Sequence, residues 1–208
     1  MQVVVVTGGI GSGKSAVCAI MNRIAGVPVY EADARVKSLY EESEELVPAI
    51  ERRLGCELRD AGGRFIKERL AKLVFSEPEA LRKVEAEVFP ELEADFIRFM
   101  ESYEGKAPFV VFESATILEK PYFDSFGDVC ILVDAPLEVR ERRAAGRDGV
   151  PESVVKARMN CQPLMNAVSQ GAELPLRVDY KIMNDAGTEE LENRTREALS
   201  VLGLLNDK

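Results

Sequence analysis

The ten residues from Thr7 to Ala16, T-G-G-I-G-S-G-K-S-A, hold the densest chemistry in the 208-residue chain. From Gly8 through Gly13, Lys14 and Ser15 they match G-x-x-x-x-G-K-[S/T], after a Val-rich run and before a helical pattern. Glycines at these places let backbone N–H groups wrap phosphate oxygens, and the helix that follows turns its positive end toward the same anion. A lysine placed as Lys14 is reaches the β and γ phosphates, and the Ser15 hydroxyl is the expected Mg²⁺ ligand. A plain Gly-rich turn needs neither the lysine nor so many glycines. The segment reads as a nucleotide-binding phosphate loop, with Gly9, Gly11, Ser12, Gly13, Lys14, Ser15 and Ala16 as its ATP-side candidates.

Other groups could act on a bound phosphate. Glu31 and Asp33 lie just past a second strand-length run, at the carboxyl edge where open α/β sheets bind ligands. A carboxylate there can accept the proton of an acceptor hydroxyl, and Asp33 equally suits the N-cap of the helical pattern A-R-V-K-S-L-Y. Glu113 closes a third run, where an acid holds Mg²⁺ through water, caps a helix, or forms a buried ion pair. Arg140, Arg143 and Arg147 recur at i, i+3 and i+7, aligned on a helix either as a phosphate clamp or as a solvated face. Asn184 and Asp185 follow the last strand, either lining a base pocket or making an ordinary Asn-Asp turn.

Composition narrows the remaining chemistry. Histidine is absent, so any base is a carboxylate, lysine, tyrosine or thiolate, and histidine zinc sites are excluded. Cys18, Cys56, Cys130 and Cys161 form no C-x-x-C pair and read as reduced residues of a cytoplasmic protein. A formal net charge of −9 argues against nucleic acid as a partner. No apolar run approaches the ~20 residues of a membrane span, and the first residues enter an ordered motif at once, unlike a signal peptide.

The elements that must position these groups follow from periodicity. Val3–Thr7, Val27–Tyr30, Phe109–Phe112, Val129–Val133 and Tyr180–Met183 are strand-length runs separated by helical patterns, which predicts a parallel α/β sheet covered on both faces. The long interval 34–105 is helical in pattern and reads as an inserted substrate-covering subdomain. Within it Leu81, Val84, Val88, Leu92, Phe96 and Phe99 form one apolar stripe, with Pro90 starting a second segment or kinking a single helix. A second departure, 140–177, reads as a lid, mobile without ligand because its arginines cluster like charge. The core is expected over about 1–33, 106–139 and 178–208, with a last helix from Glu189 to about Leu204. A GTPase is excluded by the missing N-K-x-D, and the D-x-x-G strings at Asp60–Gly63 and Asp124–Gly127 follow no buried strand.

T-G-G-I-G-S-G-K followed by E-A-D some twenty residues later resembles the dephospho-CoA kinase family. A-K-L-V-F-S-E-P-E-A-L-R-K-V-E-A-E-V-F-P-E-L resembles that family's helical coenzyme-binding segment. R-E-R-R-A-A-G-R-D resembles its lid arginines, and V-D-Y-K-I-M-N-D-A-G-T-E-E-L its final strand and adenine-side loop. The resemblance spans about residues 3 to 200. It implies a P-loop NTPase three-layer fold with a five-stranded parallel sheet, a helical substrate-binding insertion and a lid. It also implies Mg²⁺·ATP-dependent phosphorylation of the ribose 3′-hydroxyl of dephospho-CoA.

Carried over by position, the resemblance makes Asp33 the base, with Lys14 and Arg143 beside it in catalysis. Arg143, Arg147 and Asn184 join the ATP contacts, and Thr7, Asp33, Phe89, Pro90, Arg158 and Gln162 fall on the substrate side. Ser15, with Glu113 through water, falls on Mg²⁺. Departures concentrate on the coenzyme side: Phe89-Pro90 stands for the family's His-Pro, Ala115–Glu119 for P-L-L-F-E, and the segment after Gln162 is longer. Ala16 replaces a threonine and Glu31-Ala32-Asp33 replaces D-A-D, and neither change removes a required group. The competing readings are a P-loop kinase with another small-molecule or nucleotide acceptor and a non-catalytic nucleotide binder. A monomer is plausible.

Overall fold

The computed structural model describes residues 1–205. In chain order the elements are β1 (Gln2–Thr7), α1 (Lys14–Ala25), β2 (Val29–Glu31), α2 (Ala32–Glu42), α3 (Leu46–Leu54), α4 (Lys67–Ser76), α5 (Pro78–Ser102), β3 (Phe109–Ser114), β4 (Val129–Asp134), α6 (Leu137–Asp148), α7 (Glu152–Met159), α8 (Pro163–Ser169), β5 (Tyr180–Met183) and α9 (Thr188–Val201). The chain divides into two compact units, Met1–Glu31 with Tyr103–Lys208, and Ala32–Ser102.

The first unit is built on five parallel strands in the order β2-β3-β1-β4-β5. β1 lies between β3 and β4, with Thr7 level with Ser114 on one side and Leu132 on the other. The strands' unbroken Val and Phe runs are explained by cover on both faces. On one face Val4, Val6, Val111, Ile131, Val133 and Ile182 pack with Val17 and Met21 of α1 and Leu199 of α9. On the other, Phe112 meets Phe123 and Phe126, and Leu132 meets Met165 and Val168 of α8. Each such side chain removed from water contributes ~1.5–3 kcal/mol. That burial holds rigid the sheet edge from which the phosphate loop and Glu113 project.

The second unit is helical. α5 is one 25-residue helix with Pro90 inside it, so the proline is accommodated within the helix rather than starting another. Its buried side chains are Ala80, Val84, Val88, Leu92 and Phe96, a strict i+4 repeat. Leu81, expected in that stripe, is instead 37% exposed, because a four-residue repeat selects Ala80 and turns its neighbour outward. Arg35 of α2 is held by Asp95 of α5 at 2.7 Å, and Arg53 of α3 pairs with Glu87. The Asp60–Gly63 string is a turn, with Asp60 accepting from Gly62 and Arg64 N–H groups. Asp124 follows a short 3-10 turn, Pro121–Phe123. Neither D-x-x-G string follows a strand end. Among the described residues no helix is long and apolar enough to cross a membrane.

Candidate active site

β1 ends at Thr7 and α1 begins at Lys14, so Gly8 to Gly13 form the intervening loop. Gly8, Gly11 and Gly13 have φ of 148°, 76° and 100°, backbone that disfavours any side chain. Space excludes one as well. A Cβ at Gly13 would lie 2.0 Å from Asn184 Nδ2, and one at Gly11 2.2 Å from the Arg140 carbonyl oxygen. The loop is thus a cradle wrapped tightly enough that only glycine fits at those positions, delivering the chain into the positive end of α1.

Lys14, Ser15 and Glu113 meet at the mouth of that cradle. Ser15 Oγ lies 3.3 and 3.5 Å from the two Glu113 carboxylate oxygens, and Lys14 Nζ lies 3.9 Å from Oε1. The Lys14 and Glu113 side chains are 11% and 12% exposed, largely enclosed but not sealed. Of the readings for Glu113, the ion pair is present, with Lys14 as its partner. The carboxylate and the Ser15 hydroxyl form a hard-oxygen pair of the kind Mg²⁺ takes alongside phosphate oxygens and water, and Lys14 supplies the balancing cation.

Asn184 stands just past β5, 6% exposed, and donates from Nδ2 to the Ser12 carbonyl at 2.8 Å. Arg143 of α6 donates to the Asn184 carbonyl at 2.9 Å and to its Oδ1 at 3.3 Å. The structure therefore brings Arg143 and Asn184 together against the loop, and the asparagine does more than make a turn. Asp185 is tied to Arg194 of α9 at 2.6 Å, and that guanidinium holds its carboxyl below the usual range.

The lid expectation needs correction in its electrostatics. α6, α7 and α8 occupy the segment, and its arginines are not left as clustered like charge. Arg147 and Arg158 share the Asp148 carboxylate at 2.7 and 2.9 Å, and Arg147 in particular holds that carboxyl low. Arg140 does not join Arg143 and Arg147 as an accessible clamp, because it is 0% exposed. Burial pulls its pKa down while Asp134 and Glu141 draw it back up. Gln162 is 3% exposed, with Oε1 accepting from Ile10 N–H at 2.8 Å and Nε2 donating to Ala115 O at 3.4 Å. Glu119, in the segment that departs from the resembled family, accepts from Leu164 N–H at 3.0 Å and so caps α8.

Four further expected residues lie as follows. Thr7 is 0% exposed at the end of β1, its hydroxyl buried without a hydrogen-bond partner among the described residues, as is that of Ser12. Asp33 is not at the N-cap position. β2 runs straight into α2 at Ala32, which makes Asp33 an exposed residue of the first turn, where a negative charge favours the helix dipole. Phe89 and Pro90 lie mid-way along α5 in the helical unit. Sequence reasoning missed Asp134, Ser169 and Lys181, a buried carboxylate and two part-buried partners joined by a 2.5 Å hydrogen bond and a 2.8 Å ion pair. The one available signal was an aspartate directly after the buried run Val129–Val133.

Comparison with known proteins places the chain in one family. The family model described as dephospho-CoA kinase matches residues 2–190. The chain is 34% identical to the dephospho-CoA kinase of Porphyromonas gingivalis over 86% of its own length and 84% of that protein's. It is 35% identical to that of Thermus thermophilus, covering 95% and 90%. A crystal structure from Thermus thermophilus superposes with a TM-score of 0.79 at 32% identity, covering 99% of this chain and 98% of the other.

Proposed function

The chain belongs to the dephospho-CoA kinase family, and from that premise we propose that it transfers the γ-phosphoryl group of ATP to the ribose 3′-hydroxyl of dephospho-CoA, giving coenzyme A and ADP. The observation that carries the proposal is the convergence of Lys14, Ser15 and Glu113 at a glycine cradle, in a chain matched almost end to end. Cytoplasmic coenzyme A synthesis is the setting this reading implies.

In this reaction the 3′-oxygen forms a bond to the γ-phosphorus as the bond to the β-bridging oxygen of ADP breaks. The hydroxyl proton passes to a carboxylate, the role assigned to Asp33. Loop amides and Lys14 hold the β and γ phosphates in line, so that negative charge building on the leaving oxygen meets donors already in place. Ser15 and, through water, Glu113 are the residues that would hold Mg²⁺, which when bound offsets phosphate charge. Arg143, Arg147 and Arg158 supply further cations, and the last two can exchange their shared Asp148 for a phosphate oxygen. Phe89, Pro90 and the helical unit fall to the coenzyme.

Product identification tests the proposal. Incubation with Mg²⁺·ATP and dephospho-CoA should yield ADP and coenzyme A in equal amounts, while shikimate, nucleosides and nucleoside monophosphates yield neither. ADP release with one of those acceptors and not with dephospho-CoA would overturn it.

The pH dependence tests the choice of base. Burial, reinforced by Glu113, pushes the Cys18 thiol well up, and burial pushes Cys130 up to about 11, so neither is a thiolate near neutrality. With no histidine present, a break in rate between about pH 5.5 and 8 comes from a carboxylate, a cysteine or a substrate phosphate, and the two buried thiols are not candidates. With a carboxylate as the base, the break should persist when Cys18, Cys56, Cys130 and Cys161 are all replaced by alanine. Its disappearance would transfer the chemistry to a thiolate.

A further inference from the structure

The deepest charged side chain of the nucleotide unit, Arg140, has no part in the chemistry described above, yet it is bonded directly to the phosphate loop. Its Nε donates to the Ile10 carbonyl at 3.0 Å, while the Ile10 N–H donates to Gln162 at 2.8 Å. Two buried side chains from distant parts of the chain thus grip the apex of the loop from both sides. A Cβ built on Gly9 would lie 1.7 Å from Arg140 Nη2 and 2.3 Å from Cζ, and its three nearest atoms all belong to that guanidinium. Gly9 is absent from the positive-φ glycines, so backbone conformation does not require glycine there. Space for Arg140 does.

The other end of the guanidinium is equally committed. Nη1 donates to Ser169 Oγ at 2.7 Å and to the Met165 carbonyl at 3.3 Å. Ser169 passes its own proton toward Asp134 Oδ1, and the second Asp134 oxygen pairs with Lys181 at 2.8 Å. Arg140, through Ser169, and Lys181, directly, both lean on the one Asp134 carboxylate, which is 4% exposed, so the guanidinium is not cancelled by a direct ion pair beneath a loop that receives polyphosphate. In a poorly solvated interior that charge acts on an anion more strongly than it would in water.

We propose that Arg140 is a positioning residue for phosphoryl transfer: its buried guanidinium holds the Gly9–Gly11 peptides in the shape that receives nucleotide phosphates, and Gly9 is glycine to admit that guanidinium rather than a phosphate. The proposal rests on the ATP-kinase reading given above. A mere core filler would stabilise the fold without selecting for nucleotide, whereas a positioning residue fails toward nucleotide first.

The test is Mg²⁺·ADP titration, steady-state kinetics and melting temperature for Arg140→Ala, Gly9→Ala and the double variant. Arg140→Ala should raise the ADP Kd and the ATP KM by ~10-fold or more, while the KM for dephospho-CoA moves less than ~3-fold. Gly9→Ala should weaken ADP comparably, and its effect should shrink to within ~3-fold once Arg140 is alanine, because the clash has gone. A folded Arg140→Ala protein with an ADP Kd within ~3-fold of wild type overturns the proposal, whatever its melting temperature. So does a Gly9→Ala penalty of equal size in both backgrounds, which would give that glycine to the phosphate. Should Arg140→Ala fail to fold, Gln162→Ala, which removes the grip on the Ile10 N–H together with the bond to Ala115 O, carries the same ADP expectation and the same ADP refutation. The ADP titration needs no acceptor. A wild-type protein inactive on dephospho-CoA would overturn the reaction assignment, while the ADP shifts would still support Arg140.

Discussion

A Lys14→Ala protein is expected to fold normally and to lose ~10²- to 10³-fold in kcat/KM for ATP, about 2.7–4 kcal/mol of transition-state stabilisation. Folding should survive because Lys14 is the first residue of α1 and alanine is the best helix former there. The loss should appear in both constants. Lys14 meets the phosphates in the ground state and meets them more strongly as charge moves to the leaving oxygen, so KM rises and kcat falls together. The structure offers a rival account, since Lys14 also neutralises Glu113 at 3.9 Å, and its removal strands a largely enclosed carboxylate. Glu113→Gln separates the two. If Lys14 serves only as counter-ion, the Lys14→Ala, Glu113→Gln double variant should match Glu113→Gln alone within about threefold. If Lys14 acts on phosphate, the double variant stays as slow as Lys14→Ala or slower.

The contrast between Lys14 and Arg140 shows what a sequence can reveal of such a site. Gly8 to Ser15 are contiguous, and each residue type has a local physical reason, so the loop, its strand and its helix were legible together. The five strands were legible because burial on both faces leaves uninterrupted apolar runs, and the register errors were one or two residues at the ends. Arg140 was misassigned because its helical spacing with Arg143 and Arg147 is real, but spacing does not say which member points inward. Its partners, Ile10, Asp134, Met165, Ser169 and Gln162, come from separate segments, and no local pattern joins them. The lid's charge balance failed for the same reason: Asp148 adjoins Arg147 in sequence, but its reach to Arg158 depends on the α6–α7 turn.

Asp33 is where the functional and the structural readings still give opposite results. Asp33→Asn is nearly isosteric and far less basic, so if Asp33 takes the proton of the 3′-hydroxyl, kcat should fall by ~10² to 10⁴. KM for ATP should hardly move, because the residue meets the acceptor and little of the nucleotide. The placement of Asp33 in the first turn of α2 changes what the structural reading predicts. Asparagine there forfeits a favourable charge at the helix's positive end, which costs ~0.3–1 kcal/mol of stability and leaves the rate alone. Asp33→Glu sharpens the comparison. Glutamate keeps the charge at the helix end, so it restores the melting temperature on either account, but it moves the carboxylate outward by one methylene. A base held in geometry loses rate when displaced by that distance, whereas a dipole partner does not. Slow Asp33→Asn and Asp33→Glu proteins, the second with wild-type melting temperature, are therefore the expected pair. An Asp33→Asn rate within about threefold of wild type would confine Asp33 to the helix dipole and pass the proton to Glu31 or Glu113, the two neighbouring strand-end carboxylates level with each other where β2 pairs with β3.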